Sequence, residues 1–319
     1  MDIVLTAVHV ILCCGALFFN GLVMYLTVTQ TPHKLRAYSV LLFFLALVEF
    51  IAATSSFMLF QRVLPARSSA VLISSGPCTA FSTSLCHSLY AVFLGTKAQY
   101  MLTIGSCFVF RYAVLRRDPP RARIVAAMYI SITIPTIFVN ALFATAKSGD
   151  NTMRRIARQL FPQYDLRRET VYGVENIFNL RVLLAMLWVV APSLPILIIV
   201  VVMRQKVLVF LRSNVKHMSK LSKNIHRQLI MGLTYQSLLP GLFVISVTMY
   251  ILMQLDVVHH PLMEYGIHFM GDFQLVISPI LTIYYVAPYK RFIMKRLRGR
   301  STTVHFVSTT SPTKASHVF

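Results

Sequence analysis

The stretch GSCFVFRYAVLRRDPPRAR, Gly105 to Arg123, opens as an apolar run fit for lipid and carries five arginines in its last thirteen residues. Such a change marks a helix leaving a membrane. Arginines gather on the cytoplasmic flank of a span, and Pro119 and Pro120 cannot continue a helix, so they enforce a turn. The rest of the chain fits that reading. Of 319 residues, 56% are hydrophobic and 13% charged, and the mean hydropathy is +0.66, which leaves too little polar surface for a water-soluble globule. The 31 Lys and Arg outnumber the 10 Asp and Glu. They stand in short clusters between apolar runs and not along one polar face, which argues for topology signals and lipid contacts and against a nucleic-acid surface.

Seven apolar stretches are long enough to cross a bilayer, which takes about 20 residues per helix. They are expected near Val4 to Val28, Ala37 to Phe60, Cys78 to Phe110, Ile124 to Ala146, Val182 to Met203, Leu229 to Met253 and Met263 to Ala287. The runs are continuous where barrel strands would alternate over about ten residues, so helices are expected. The longest loop, Lys147 to Arg181, leaves no room for a soluble domain. The fold class is therefore an all-α membrane protein, a seven-transmembrane helix bundle over residues 1–300. It ends in a short surface helix near 289–299, where Phe292, Ile293, Met294 and Leu297 alternate with charge. Residues 301–319, with nine Ser or Thr, read as a disordered, phosphorylatable tail.

Charge sets the expected orientation. The first, third and fifth loops and the tail hold 2, 5, 7 and 7 basic residues against one acid, Asp118; the opposite side holds 0, 2, 7 and 0 against seven acids. The positive-inside rule then puts the N-terminus outside and the C-terminus in the cytoplasm. The basic fourth loop is the one awkward fact. With no basic region before the first span, that span is expected to act as an uncleaved signal anchor, and no N-x-[ST] sequon marks an N-glycan.

The polar exceptions within the spans resemble those of rhodopsin-like receptors. Asn20 lies in FFNGLVMYL; Glu49 in LALVEF resembles their Leu-x-x-x-Asp pattern with Glu for Asp; Phe110–Tyr112 resembles Asp-Arg-Tyr; and SPILTIYYVAPYKRF, Ser278 to Phe292, resembles Asn-Pro-x-x-Tyr followed by a membrane-surface helix. A closer resemblance is to nematode serpentine chemoreceptors of the class delta (Srd) family. QRVLPARSSAVLISSGPC (Gln61 to Cys78), FRYAVL (Phe110 to Leu115), GLTYQSLLPGLFV (Gly232 to Val244) and SPILTIYYVAPYKRF resemble that family's signature stretches in its order. The resemblance implies a chemosensory receptor in the plasma membrane, in the sensory cilium of chemosensory neurons. It implies a small odorant or pheromone-like ligand in the outer half of the bundle and a heterotrimeric G protein on the inner side. Asn20, Glu49, Arg111, Tyr112, Pro240, Pro279 and Tyr284 are the expected switch and coupling residues. Because Phe110 replaces the acid before the motif arginine, Arg111 needs another resting partner, with Asp118 or a helix-six carbonyl as candidates.

Three charges fall deep inside the expected spans, and each is costly in lipid unless it faces the bundle or water. Glu49 is either a hub with Asn20 that holds a cation or exchanges a proton, or a protonated acid that ties helices together. Lys97 and Asp272 both fall above the cytoplasmic half and are expected to pair across the bundle, on the floor of a ligand pocket or as a structural pair. The expected ligand-binding residues are Tyr90, Phe93, Lys97, Trp188, Phe269 and Asp272, with Leu94, Tyr250, Tyr265 and Ile267 as further lining of a mostly apolar site. Pro192, Pro195 and Pro240 can kink the fifth and sixth spans. Cys86 matches the rhodopsin-like spacing to Arg111, yet the fourth loop has no cysteine to pair with it. Cys78 is the other candidate. The two can bond if Cys78 lies in a loop that folds back, and cannot if both lie on one regular helix, where eight residues separate them by about 12 Å.

No His-Glu-x-x-His, paired aspartates or Gly-x-Ser-x-Gly with a base supports an enzyme, and His259, His260 and His268, placed in or near the sixth loop, lack trusted metal spacing. No cofactor is expected; a retinal pigment would need a lysine between Met263 and Ala287, and none is there. The alternative reading is a ligand-gated channel or small-solute transporter using Glu49, Lys97 and Asp272 as a polar path, although no inverted repeats or broken-helix pairs support it.

Overall fold

In the computed structural model, which describes residues 2–32, 35–66, 68–114, 116, 120–162, 164, 166, 169–214, 231–232, 234–258 and 260–297, the chain runs back and forth as a helical bundle capped at one end by a small sheet. In chain order the elements are α1 (Asp2–Thr29), α2 (Arg36–Leu59), β1 (Gln61–Ala66), β2 (Ser69–Ser74), α3 (Thr83–Val114), α4 (Ala122–Ala144), α5 (Asp150–Leu160), β3 (Thr170–Val174), α6 (Leu180–Val190), α7 (Ser193–Asn214), α8 (Leu239–Gln254), α9 (Pro261–Tyr285) and α10 (Ala287–Leu297). Helices α6 and α7 together form the fifth span, α8 is the main part of the sixth and α9 is the seventh. The expected tail, residues 301–319, and most of loop five lie outside the described residues.

Six of the seven spans are long and apolar enough to cross a membrane by composition alone. The exception is α3, and its position explains why. It packs against α2, α4, α6 and α7, so Lys97, Gln99, Thr96 and Thr103 along it are buried by protein and not by lipid. At about 1.5 Å per residue its 32 residues still cover more than the roughly 30 Å hydrocarbon layer. Helix α4 is the converse. Ile130, Ile134, Ile137 and Phe138 are exposed on it, an apolar face suited to lipid.

Four expectations need correction. The third span does not start at Cys78. A 3-10 turn, Pro77–Ala80, folds back first, and the helix begins at Thr83. The fifth span is not merely kinked, because a turn at residues 191–192 separates α6 from α7. Pro192 cannot supply the amide that a continuous helix needs there. In the sixth span a turn at residues 237–238 precedes Pro240, which sits in the first turn of α8, where a missing amide costs nothing. Pro135 and Pro279 lie inside unbroken helices.

Fourth, the second and fourth loops are structured. Strands β1, β2 and β3 form an antiparallel sheet in that order, with Gln61 opposite Ser74 and Ala70 opposite Val174. Pro65 lies on the edge strand, where its lost donor is tolerated. Side chains alternate between two buried faces. Leu64, Val71, Ile73 and Val171 pack on Met153 and Ala157 of α5, while Val63, Leu72, Tyr172 and Val174 pack on Tyr90, Phe93 and Phe143 of the bundle. The basic charges of the fourth loop are partly neutralised within it. Arg154 donates to the carbonyls of Leu166 and Glu169, and Lys147 pairs with Asp150 at 2.7 Å. Asp165, Arg167 and Arg168 lie outside the described residues.

Candidate functional site: a cavity beneath the sheet

Cys78 and Cys86 form a disulfide, with Cα atoms 5.3 Å apart, that clips the 3-10 turn to the first turn of α3. Thr83 and Lys147 both contact Asp150 at the start of α5, so the loops are tied to the bundle at that point. Burial pushes the Asp150 carboxyl up, but the hydrogen bonds from Lys147 and Thr83 and the nearby positive charges outweigh it and hold the group below its ordinary value. On the other side, Arg62 of β1 pairs with Glu264 at the start of α9. Tyr164 donates to the same carboxylate at 2.9 Å and lies under the Arg62 guanidinium.

Beneath this cap lies a cavity of about 90 Å³. Tyr90, Phe93, Leu94 and Lys97 of α3 line it, with Met186 and Val189 of α6, Phe243 and Tyr250 of α8, and Ile267 and His268 of α9. Val63 of β1 reaches it from the sheet. Of the expected lining, Trp188, Tyr265, Phe269 and Asp272 are not on the wall. Helical periodicity gives the reason: residues 186, 189 and 190 face one way and 188 another, as do 267, 268 and 271 against 265, 269 and 272. Trp188 donates to Thr136 of α4 at 3.2 Å, and Phe269 meets the His9 ring edge to face.

The expected Lys97–Asp272 pair does not form. Asp272 accepts from His9 Nδ1 at 2.9 Å and from Ser56 at 2.8 Å, and His9 Nε2 reaches the Ser56 carbonyl at 3.1 Å. Both oxygens of Asp272 are thus engaged from α1 and α2, and among the described residues Lys97 Nζ has no hydrogen-bond partner, with a contact to the Phe93 ring at 4.6 Å. His9 and Cys13, one turn apart, put ligand-capable atoms within 4.8 Å of each other and of Asp272. The sequence gives no sign of this trio, because its third member is more than 250 residues away. His268 also lies away from its expected place in or near the sixth loop; it is buried in α9, with Nδ1 bonded to Gln61 of β1 at 3.2 Å. His259 lies outside the described residues.

Below the cavity is a layer of buried polar groups. Glu49 is 1% exposed and faces Ser278, while Oε1 has no partner. Asn20 does not bond to it. Its amide donates to the carbonyls of Ala16 and Leu275, at 2.9 and 3.1 Å, joining α1 to α9. Gln274 and the Tyr100 hydroxyl are buried in the same layer, where the hydroxyl faces Ser278 and Gln274.

At the opposite end Arg111 donates to the Tyr38 hydroxyl on α2 and lies over its ring, 4.6 Å from the centroid. Of the expected partners, Asp118 and the inner part of the sixth span, residues 215–230, lie outside the described residues. Tyr112 sits between the cations of Arg116 and Lys206. The sixth and seventh spans meet through Gln236 and Thr282, 3.3 Å apart, through the stacked rings of Tyr235 and Tyr285, and at Gly232, where a Cβ would come within 2.7 Å of Tyr285 Cβ. Tyr284, the expected switch residue, faces away: it is half exposed, with Lys290 3.8 Å over its ring. The surface helix α10 is anchored by Tyr289, whose hydroxyl bonds Thr31 at 2.9 Å.

Sequence comparison agrees with this architecture. Residues 5–295 match the family described as serpentine type 7TM GPCR chemoreceptor Srd. Among curated relatives, serpentine receptor class delta-18 of Caenorhabditis elegans is 29% identical over 285 residues, covering 86% of this chain and 84% of its own. Class delta-19 is 25% identical over 285 residues, covering 88% and 84%, and class delta-1 is 26% identical over 292, covering 89% and 78%. With a family match over nearly its whole length and a seven-helix membrane bundle, the chain belongs to the serpentine-type seven-transmembrane GPCR chemoreceptor family Srd.

Proposed function

We propose that the protein is a chemosensory receptor in which a small external molecule occupies the cavity beneath the sheet and a heterotrimeric G protein engages the opposite end. The observation that carries this is the cavity itself, enclosed by four spans and a strand and lined by buried, unpartnered polar atoms of Lys97 and His268. The N-terminus and the sheet then face outward, and the basic loops and α10 face the cytoplasm, in keeping with the charge count.

Signal passes through elements with two possible arrangements. A ligand touching α8 and α9 changes how the sixth span sits on the seventh. The turn before Pro240 lets the sixth span swing, while Asn20, Glu49, Gln274 and Ser278 form a polar layer whose hydrogen bonds rearrange as α9 shifts around Pro279. The contacts of Tyr285 with Tyr235 and Gly232 then open, and Arg111 leaves Tyr38 to meet the G protein. The test is a ligand screen in cells that carry a promiscuous G protein and a calcium reporter. A response lost in Arg111→Ala at equal surface level supports receptor action. A ligand-gated current without any G protein supports the channel reading instead.

A further inference from the structure

Among the described residues, two fully buried polar atoms of the cavity wall lack partners, and both are hydrogen-bond donors. Lys97 is 7% exposed and His268 8%; Lys97 Nζ and His268 Nε2 make no hydrogen bond. Gln61 Nε2 donates to His268 Nδ1, so the ring proton is on Nε2, the unpartnered nitrogen. Ser246, also on the wall, donates its hydroxyl proton to the Leu242 carbonyl at 3.1 Å. Asp272 carries the nearby negative charge of α9, and both its oxygens are engaged by His9 and Ser56. The remaining wall is apolar or aromatic, with the hydroxyls of Tyr90 and Tyr250 on it.

Gly271 brings the two donors together. It lines the cavity one turn after His268, on the same face of α9, and a Cβ there would lie 2.6 Å from Lys97 Nζ. The missing side chain is what lets the ammonium lie against α9 near the histidine.

We propose that the cavity takes a short-chain carboxylate, with its tail among Tyr90, Phe93 and Phe243 and its two oxygens accepting from Lys97 and His268; this rests on reading the cavity as the receptor's ligand site. A carboxylate has two acceptor oxygens and no donor, which matches the Lys97 and His268 donors, and the Tyr90 and Tyr250 hydroxyls on the same wall can donate to it as well. It also neutralises a buried ammonium that is costly while unpaired. An amine is repelled, and an alcohol leaves the charge uncompensated. Whether the proton starts on the lysine or on the incoming acid, the bound state is the same ion pair. The volume selects small members. About 90 Å³ is less than the roughly 150 Å³ of an apolar cavity that holds benzene, so chain length is read by the apolar wall.

The test is thermal unfolding of the full chain in lipid nanodiscs with acetate through hexanoate, and with the matched alcohols and methyl esters. A ligand that binds only the folded state raises the midpoint in proportion to its affinity. The expected result is that one or more acids raise it and their alcohols and esters do not. Lys97→Met should weaken acid binding by about tenfold or more, the range for one charged hydrogen bond. Gly271→Ala, which displaces the ammonium and keeps its charge, should weaken it in the same direction. Alcohols or esters that bind as well as acids, unaffected by Lys97→Met, overturn the carboxylate assignment and leave the receptor reading standing. A panel in which nothing shifts the midpoint also overturns it, and the cell-based G-protein response then decides the receptor reading separately.

Discussion

Arg111 of α3 rests on Tyr38 of α2, its guanidinium 4.6 Å from the ring centroid and its Nη2 donating to the phenol oxygen. Phe110, which occupies the place of the acid in the rhodopsin-like motif, stacks on the same ring at 6.1 Å. An aromatic clamp therefore holds the arginine where a local ion pair is absent. Among the described residues its buried Nε and Nη1 have no partners, so part of its donor capacity is not used by the Tyr38 contact.

Tyr38→Phe keeps the ring and removes the acceptor. A hydrogen bond to a charged group contributes about 1.5–3 kcal/mol, so losing one from the resting arrangement shifts the resting-to-active balance about tenfold or more. Ligand-independent signalling should rise in Tyr38→Phe. Basal activity equal to that of the unaltered chain at matched surface level would show that this bond does not hold the resting state.

The two adjacent tyrosines of α9 should separate cleanly. Tyr285→Ala removes the contacts with Tyr235 and Gly232 and should alter basal or ligand-driven signalling severalfold, whereas Tyr284→Ala loses a surface ring beside Lys290 and should change little. Concentration–response curves for the two variants check this, and equal effects would contradict the assignment of the interface to Tyr285.

The Cys78–Cys86 bridge closes a short loop, for which chain entropy gives about 2–3 kcal/mol. Cys78→Ser and Cys86→Ser should each lower the unfolding midpoint, and the double variant should lower it no further. Additive losses would mean that the two sulfurs act separately.

Asp150 gives the loop cap an acid limit. Its folded carboxyl sits below its ordinary value, because the Lys147 and Thr83 hydrogen bonds outweigh the effect of burial. Its contribution is therefore complete above the unfolded carboxylate pKa near 4, and it is lost as pH falls through the lower folded value. Because the group is partly exposed the effect is modest, and Asp150→Asn should flatten the acid limb of stability against pH. An unchanged acid limb would assign it to other carboxyls.

Six membrane spans are legible in the sequence because they are continuous apolar runs, and Lys97, Tyr90 and Phe93, which line the cavity, stand out on the third span by charge and aromaticity. The sheet is not. Its strands are five or six residues long and buried on both faces, so RVLPA and AVLIS show no polar alternation to distinguish a strand from a helix end. The charge pairing is also hidden, because Asp272 has its partner at His9 near the chain's start, and spacing along one helix carries no information about that. Arg111 stands out in the sequence at the end of the third span, but its partner Tyr38 lies 73 positions earlier and shows only when α2 and α3 pack together.

The most direct test of receptor action is ligand-evoked calcium release in cells that express the chain with a promiscuous G protein, comparing the unaltered protein with Arg111→Ala at equal surface level. The expected result is a saturable, ligand-dependent response in the unaltered chain and none in Arg111→Ala. An undiminished response in Arg111→Ala, or a ligand-gated current that persists without any G protein, would contradict it.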